Sequence, residues 1–185
     1  MQSPRVLGVV GWGGSGKTTL LKKLIPLLVG RGMRIATLKH AHHDFDVDVP
    51  GKDSHEHRKA GASEVIVCSS RRWAHVLELG DSAEPPLGEL LQKLAPCDLI
   101  LVEGFKRERH PKLEVFRSSV GKPPLFPDDA HVRGVITDSV LPEAHPPLID
   151  INDIEAVSTA ALAAAEPLDL VLERLAAGPV IPASR

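Results

Sequence analysis

The stretch Gly11-Trp12-Gly13-Gly14-Ser15-Gly16-Lys17-Thr18 decides the fold of this chain. It fits the phosphate-binding pattern G-x-x-x-x-G-K-[ST]. An apolar segment over residues 5–11 leads into it, and the apolar positions of residues 19–25 have helical spacing. A strand that turns through glycines into a helix directs several backbone N–H groups and the positive end of the helix dipole at one point. The pattern therefore predicts a site for the phosphates of a nucleoside triphosphate.

The residue types within this stretch predict separate roles. Glycines allow the main chain to bend tightly around a phosphate. Lys17 would reach the terminal phosphates, and the hydroxyl of Thr18 would bind Mg²⁺. The expected nucleotide-binding residues are Gly13, Gly14, Ser15, Gly16, Lys17, Thr18 and Thr19. The alternative interpretation is a chance glycine-rich turn.

Composition limits the class of protein. A chain of 185 residues with 43% hydrophobic residues predicts one domain over residues 1–177, followed by a disordered tail over residues 178–185. The net charge of -2 argues against a general nucleic-acid binder. No apolar run is long enough to span a bilayer, and the first strand begins too early for a signal peptide. We therefore expect a cytoplasmic protein with no membrane or nucleic-acid partner.

The two cysteines are isolated from each other and from other metal ligands. Cys68 and Cys97 lie in or beside apolar segments. We expect both to be buried thiols of a cytoplasmic protein, since neither spacing suggests a disulfide or a metal pair.

Alternating strands and helices predict an α/β fold. The predicted strands are residues 5–11, 34–39, 64–69, 73–79, 98–103, 112–117, 132–137 and 148–151, and the helices are 17–30, 54–59, 87–94, 154–165 and 168–177. We expect Asp53 or Ser54 to cap the second helix. This order is typical of a phosphate-loop NTPase-like three-layer α/β/α domain with a mostly parallel central sheet. Ligands of such folds bind at the carboxyl ends of the strands.

Glu103 ends the buried apolar strand and precedes Gly104. A carboxylate there could complete the Mg²⁺ shell with Thr18 or orient a water near the terminal phosphate, so it is the candidate catalytic residue. Most nucleotide-binding domains of this kind have Asp at this place, and the match is partial. The alternative is an acid that faces solvent. Asp98, at the opposite end of the strand, is expected to be structural.

Asp138 follows the strand that ends at Thr137 and is a candidate for base recognition. A carboxylate accepts hydrogen bonds from both the ring N–H and the exocyclic amine of guanine, and adenine offers no such pair of donors. Guanine-specific proteins commonly have Lys two residues before this Asp, but this chain has Ile136. The alternative is a turn residue.

Residues 39–58 form the densest run of functional groups, with five histidines and several aspartates. They could bind a metal, although the spacing matches no defined site. A solvated polar loop is a second possibility, and a site for an anionic partner is a third. The residues of the anion site would be Lys39, His40, Lys52, His57, Arg58 and Lys106. A second basic cluster contains Lys106, Arg107, Arg109, His110 and Lys112, for which a solvent-exposed loop is the alternative.

Taken together, these motifs resemble the MobB family of molybdopterin-guanine dinucleotide biosynthesis adapter proteins. The resemblance extends from about Val6 to Ile154. It rests on residues 11–18, Lys39-His40-Ala41-His42-His43-Asp44-Phe45-Asp46, Pro50-Gly51-Lys52-Asp53-Ser54, His57-Arg58, Ala60-Gly61-Ala62, Val102-Glu103-Gly104-Phe105-Lys106 and Pro111-Lys112-Leu113-Glu114-Val115. Phosphate-loop proteins in general lack the second of these blocks.

The resemblance implies a phosphate-loop GTP-binding protein that forms homodimers. It further implies GTP and Mg²⁺ as ligands, at most weak GTP hydrolysis, and assistance to the partner guanylyltransferase that attaches GMP to molybdopterin. Molybdopterin itself is a further possible ligand. By position, Gly14, Gly16, Lys17 and Thr18 would carry the nucleotide phosphates and Mg²⁺, and the resemblance assigns no catalytic residue.

Two other functions are compatible with the phosphate-binding stretch. One is a small-molecule kinase or an ATP-dependent ligase of the dethiobiotin synthetase kind, but the chain has only Arg71-Arg72 as lid arginines and no long lid insertion. The other is a metal-insertion GTPase of the type that loads nickel enzymes, which the histidines suggest. Such a protein would be expected to have a thiol near the nucleotide loop.

Overall fold

The structure, a computed structural model, describes residues 3–41, 45–141 and 146–177. They divide into two compact units. The core unit consists of the described residues before Ala41 and after Pro86, and the hairpin unit consists of those between Ala41 and Pro86. The single domain expected over residues 1–177 stays a prediction, and the tail over residues 178–185 lies outside the described residues.

Strands and helices of the core unit follow the predicted order. The strands are β1 (Arg5–Val10), β2 (Ile35–Lys39), β5 (Leu99–Glu103), β6 (Lys112–Phe116), β7 (Val132–Thr137), β8 (Leu148–Asp150) and β9 (Glu166–Pro167). The helices are α1 (Lys17–Gly30), α3 (Leu87–Gln92), α4 (Ile154–Ala164) and α5 (Leu168–Ala176). Two short 3-10 helices, Ser118–Val120 and Phe126–Asp128, lie between β6 and β7.

The strands of the core unit form one mostly parallel sheet in the order β2-β5-β1-β6-β7-β8. Each neighbouring pair along this order is parallel, and β9 adds a short antiparallel pairing to β1. Alternate residues of β1 point to opposite faces of the sheet. Leu7 and Val9 belong to the apolar cluster that includes α1 and α4, whereas Val6 belongs to the one that includes α3 and α5. The predicted phosphate-loop NTPase-like α/β fold is confirmed.

The register of the sheet determines which residues meet at its carboxyl edge. Glu103 at the end of β5 lies opposite Val9 of β1 and Lys39 of β2. On the other side of β1, Phe116 of β6 pairs with Thr137 of β7. The residues that follow these strand ends therefore surround the loop between β1 and α1.

The hairpin unit contains one helix and one antiparallel pair of strands. They are α2 (Asp53–Lys59), β3 (Glu64–Cys68) and β4 (Trp73–Leu77), and the two strands pair with each other in antiparallel orientation. The expected cap was wrong, because Lys52 stands at the N-cap without a side-chain hydrogen bond. The hydroxyl of Ser54 instead donates to Asp48 Oδ1 at 2.8 Å.

The expectation of two buried cysteines holds for one of them. Cys97 is 8% exposed within the core unit, but Cys68 is exposed at the end of β3. Cys68 shares a face of the two-stranded sheet with Ile66 and Trp73, both of which are also exposed. An apolar strand is buried only where another layer covers it.

Among the described residues, no helix is long and apolar enough to cross a membrane.

Candidate nucleotide-binding site

The loop between β1 and α1 has the backbone that a phosphate site requires. Gly11, Gly14 and Gly16 have φ values of 144°, 81° and 95°, which strain residues with a side chain. A Cβ at Gly11 would lie 2.4 Å from the carbonyl oxygen of Val115 on β6, so the loop passes directly against that strand. Only glycine fits at this position.

The first turn of α1 is open to an anion. Gly16 occupies the N-cap in a left-handed conformation, with no capping side chain and no acidic residue in the first turn. The unpaired N–H groups and the helix dipole thus favour a negative charge. The Ser15 side chain is 1% exposed, and its hydroxyl has no hydrogen-bond partner among the described residues. A phosphate in the loop would offer hydrogen-bond acceptors to these N–H groups and to the Ser15 hydroxyl.

Lys17 lies folded across the loop. Its Nζ donates to the carbonyl oxygens of Gly11 and Trp12, each at 3.0 Å. Burial lowers the pKa of Lys17; Glu103 opposes this shift, and Lys106 and Lys39 reinforce it. An anion between Lys17 and its basic neighbours would stabilise the charged ammonium. The predicted phosphate-binding residues therefore form one continuous segment, with Thr18 and Thr19 exposed in the first turn of α1.

The two residues expected at Mg²⁺ are in direct contact. Thr18 Oγ1 donates to Glu103 Oε1 at 2.8 Å, and Lys39 Nζ lies 3.9 Å from the same oxygen. The side chain of Glu103 is 13% exposed, so the interpretation as an acid in free solvent does not apply. Hydroxyl and carboxylate oxygens are ligands that Mg²⁺ prefers, and both face the phosphate loop. The donor set fits the ion.

The chain turns sharply after Glu103. Gly104 has φ 98° and Phe105 has φ 53°, a rare value for a residue with a side chain. A Cβ at Gly104 would lie 2.9 Å from His40 Cβ, and the His40 ring packs 4.6 Å from the Phe105 ring, centroid to centroid. The turn therefore brings the segment after β5 against the segment after β2.

Lys106 continues this turn toward the phosphate loop. Its Nζ lies 4.4 Å from the centroid of the Trp12 ring, a cation–π contact. Burial and Arg107 both lower the pKa of Lys106. Trp12 Nε1 donates to the carbonyl oxygen of Pro123 at 2.7 Å. Three of the expected anion-site residues, Lys39, His40 and Lys106, thus lie at the rim of the phosphate loop.

The remaining residues of the expected anion site belong to the hairpin unit. Arg58 donates to Asp46 at 2.8 Å and to Glu78 at 2.6 Å, and it lies 3.5 Å from Asp48. These contacts raise the pKa of Arg58. The contact with Arg58 lowers the pKa of Asp46, and the hydrogen bond from Ser54 lowers that of Asp48. Arg58 therefore stabilises the hairpin unit, and an anion there would have to displace carboxylates.

Lys52 and His57 are exposed in the hairpin unit. No group of three metal-ligating side chains occurs among the described residues. His42, His43 and Asp44, which carry much of the metal interpretation, lie outside those residues. The metal interpretation thus has no support from the histidines that are described.

The basic cluster after Glu103 is a solvent-exposed loop only in part, because Arg107 is exposed but the end of the cluster is buried. His110 and Lys112 are both 0% exposed. Lys112 Nζ pairs with Asp129 Oδ2 at 2.5 Å; burial lowers the pKa of Lys112, and Asp129 opposes this shift. Next on the same face of β6, Glu114 accepts hydrogen bonds from the backbone N–H groups of Leu125 and Phe126 at 2.8 and 2.9 Å. These two buried side chains hold the 118–131 segment over the sheet.

Asp138 lies at the carboxyl edge beside the phosphate loop, and it is paired. The guanidinium of Arg117, the first residue after β6, donates to Asp138 Oδ2 and, through Nε, to the carbonyl oxygen of Ser15 at 3.3 Å. Sequence reasoning did not single out Arg117. The signal was its position directly after a strand that neighbours β1.

Asp98 supports the opposite end of the sheet, as expected. It accepts a hydrogen bond from the backbone N–H of Arg34 at 2.7 Å. The carbonyl oxygen of Asp98 accepts from the N–H of Arg5 at 3.1 Å. These bonds join the beginnings of β1, β2 and β5.

The chain is similar to a set of known proteins. The family model described as Molybdopterin guanine dinucleotide synthesis protein B matches residues 6–138, a span from β1 to Asp138. The Molybdopterin-guanine dinucleotide biosynthesis adapter protein of Escherichia coli is 48% identical over 156 residues, which cover 83% of this chain and 89% of that protein. The protein of the same name from Haemophilus influenzae is 43% identical over 155 residues, covering 83% and 85%.

Solved structures agree with this fold. The crystal structure of a MobB protein homolog from Bacillus stearothermophilus is 27% identical, with a TM-score of 0.61, and the match covers 85% of this chain and 98% of that one. The crystal structure of Bacillus subtilis MobB has a TM-score of 0.64 at 23% identity, which supports the fold alone.

Proposed function

This chain belongs to the molybdopterin guanine dinucleotide synthesis protein B family, and on that premise we propose that it is a GTP-binding adapter of molybdenum cofactor biosynthesis. It assists a partner guanylyltransferase in forming molybdopterin guanine dinucleotide and works in the cytoplasm. The proposal rests on one observation: Thr18, next to the open phosphate loop, donates a hydrogen bond to the carboxylate of Glu103. The assignment to molybdenum cofactor biosynthesis is based on the names of the relatives.

In this proposal the phosphates of GTP lie in the loop of residues 13–19. The backbone N–H groups of the loop and the N-terminus of α1 bind the phosphate oxygens, and Lys17 exchanges its two carbonyl acceptors for phosphate oxygens. Thr18 and Glu103 would hold Mg²⁺, which neutralises charge on the bound phosphates. Glu103 is then an Mg²⁺ ligand directly or through water.

Base recognition is assigned to Asp138. Its carboxylate is exposed at the carboxyl edge of the sheet, two strands away from β1. A carboxylate has lone pairs for both N–H donors of guanine's edge while it keeps its internal partners. A carboxylate at this position would therefore favour guanine over adenine.

We expect hydrolysis of the bound GTP to be slow. Among the described residues, the candidate for orienting water is Glu103, and its Oε1 is shared by Thr18 and Lys39. A carboxylate held in this way serves the metal better than it activates a nucleophile. Turnover should therefore fall far below the roughly 1–100 s⁻¹ of kinases. The protein would bind and present nucleotide, not act as a stand-alone catalyst.

The anionic partner would bind at the rim of the phosphate loop. Lys39 and Lys106 supply positive charge there, and His40 packs on the turn between them in the fold. Molybdopterin, which carries a phosphate, is an anion of the kind such residues bind. In the hairpin unit, Lys52 and His57 are exposed and are proposed to bind an anion there, whereas Arg58 could do so only by releasing Asp46 and Glu78.

We also propose a homodimer that forms through the hairpin unit. The face of β3 and β4 that contains Ile66, Cys68, Trp73 and Leu77 is exposed, with Ile66 and Trp73 62% and 66% exposed. A two-stranded sheet leaves each strand with one edge that is unpaired among the described residues. Isolated hairpins are marginally stable, and although this face also contains the paired Glu64 and His75, its exposed apolar side chains are typical of interfaces. A second copy of the chain would cover this face.

Isothermal titration calorimetry with GTP, ATP and Mg²⁺ tests the nucleotide part of the proposal. We expect GTP to bind in preference to ATP, and Mg²⁺ to strengthen binding. Repeating the titration with added molybdopterin and with purified guanylyltransferase tests the adapter role. A preference for ATP, or rapid transfer of phosphate to a small acceptor, would favour the kinase or ligase alternative instead.

A further inference from the structure

Arg117 links the phosphate loop to the carboxylate of Asp138. The two residues directly follow the paired ends Phe116 of β6 and Thr137 of β7, so they are neighbours at the carboxyl edge. The guanidinium donates to Asp138 Oδ2 through Nη1 and to the Ser15 carbonyl oxygen through Nε, the latter at 3.3 Å. One side chain thus contacts both the phosphate loop and the residue proposed to recognise the base.

The second oxygen of Asp138 is held as well. Ser139 Oγ donates to Asp138 Oδ1 at 3.1 Å, and it lies 3.1 Å from Ser118 Oγ across the two strand ends. With one donor on each oxygen, the carboxylate has a defined orientation. Each oxygen keeps further acceptor capacity, because a carboxylate offers about four lone-pair sites.

Arg117 also lies alongside the last residue of the phosphate loop. A Cβ built at Gly16 would be 3.6 Å from Arg117 Nε. The planar guanidinium has five N–H donors in a rigid arrangement, so it can serve a carbonyl oxygen and a carboxylate at once. The ammonium of a lysine has no such arrangement.

We propose that Arg117, the first residue after β6, positions Asp138, the first residue after the neighbouring β7, for guanine recognition. Guanine-specific proteins commonly have a lysine two residues before such an aspartate, where this chain has Ile136. Here Arg117, the first residue after β6, supplies the cation instead. This inference rests on the proposed function, because it requires that a guanine nucleotide bind in the phosphate loop.

Comparing GTP with inosine triphosphate isolates the contact in question. Inosine triphosphate lacks the exocyclic amine of guanine, so the ratio of the two affinities reports how well a carboxylate meets that amine. In the unmodified protein we expect GTP to bind about tenfold more tightly, the effect of one charge-assisted hydrogen bond. Arg117→Ala should weaken GTP binding about tenfold and bring the ratio close to one, while Arg117→Lys should recover part of it.

Arg31→Ala is the matched control. Arg31 forms an ion pair with Glu155 at comparable exposure, far along α1 from the phosphate loop, so its removal should leave the ratio unchanged. In an Asp138→Ala background, Arg117→Ala should have no further effect on the ratio. Circular dichroism melts establish that each variant is folded.

Failure of the inference differs from failure of the proposed function. If the unmodified protein binds no GTP, or binds it independently of Lys17, the proposed function is wrong. If binding depends on Lys17 but Arg117→Ala keeps the ratio, Arg117 does not position Asp138. Equal weakening of GTP, inosine triphosphate and ATP would assign Arg117 to the phosphates, and tighter GTP binding would mean that Arg117 blocks Asp138. Each of these results overturns the inference.

Discussion

Thr18 Oγ1 donates to Glu103 Oε1 at 2.8 Å, which joins the first turn of α1 to the last residue of β5. The contact follows from topology, because β1 and β5 are parallel neighbours and Val9 lies opposite Glu103. Residues 85 positions apart in the chain therefore meet where the phosphate loop ends. This pair defines the magnesium part of the proposed site.

Removing either partner of this pair should remove the effect of Mg²⁺ on GTP binding. Thr18→Ala deletes the hydroxyl ligand, and Glu103→Gln deletes the negative charge that attracts the ion. Calorimetry with excess Mg²⁺ and with EDTA measures the effect as a difference. Thr159→Ala, which removes a hydroxyl from the exposed side of α4, is the control. A magnesium effect that survives in both site variants would contradict the assignment.

Lys17→Ala should abolish triphosphate binding at ordinary concentrations. The variant removes a charged donor folded over the loop and leaves phosphate oxygens without their cation. Loss of such a partner costs about 2–5 kcal/mol, or roughly 30-fold to several-thousand-fold in affinity. Lys22→Ala, on the exposed side of the same helix, should bind GTP like the unmodified protein. Tight GTP binding by Lys17→Ala would exclude the loop as the phosphate site.

Asp138→Asn should shift the base preference from guanine toward xanthine. The amide presents a donor to the 2-oxo group of xanthine, where the carboxylate presents an acceptor to the 2-amino group of guanine. Competition between GTP and xanthosine triphosphate in calorimetry measures the shift. If the preference does not change, Asp138 does not contact the base.

Much of the fold could be predicted because its signals are local. The glycine stretch, the helical spacing of α1 and the apolar run of β5 each lie within one segment, and the structure bears out all three. Alternation of strands and helices then implied the parallel sheet. The rim position of Glu103 followed from that topology.

What could not be predicted depends on which distant segment covers a strand. The alternation of Lys112 and Glu114 in β6 suggests a solvated face, yet the 118–131 segment buries both charges by pairing with them. The role of Arg117 could not be predicted either, because it depends on contacts with distant segments. Its partners, Ser15 and Asp138, are 102 and 21 residues away, and no sequence spacing relates them.

Burial of His110 should make stability depend on pH. The pKa of its imidazole falls from 6.5 to about 3, mainly because burial disfavours the charged ring and also because Lys112 repels it. Between about pH 6.5 and pH 3 the unfolded chain binds a proton that the folded chain does not. This contribution to stability is present above pH 6.5 and falls by up to about 1.4 kcal/mol for each unit that the pH drops.

Replacing His110 should make the free energy of unfolding depend less steeply on pH. Urea unfolding of His110→Leu between pH 7 and pH 4.5 should give a free energy of unfolding that changes less steeply, by up to about 1.4 kcal/mol per pH unit. The slope is the readout, so a uniform loss of stability in the variant does not affect the test. Val140→Ala, which changes an exposed residue with no titratable group, should keep the original slope. If the free energy of unfolding changes with pH equally steeply in His110→Leu and in the unmodified protein, His110 is not buried as a neutral ring.

Placing a charge on the exposed face of the hairpin unit should separate the proposed dimer into monomers. Ile66 lies on that face beside His75 and is 62% exposed, and Ile66→Asp would bury a carboxylate if a second copy covered it. Sedimentation equilibrium should then show a dimer dissociation constant at least about tenfold higher.

Val140→Asp provides the matched control for this test, since Val140 is an 86% exposed apolar residue of the core unit. It should leave the dimer intact. Trp73→Ala, on the same face as Ile66, should weaken the dimer without introducing charge, because it removes a large apolar side chain from the interface. Monomeric unmodified protein at micromolar concentration, or a dimer insensitive to both hairpin variants, would show that this face does not join two copies.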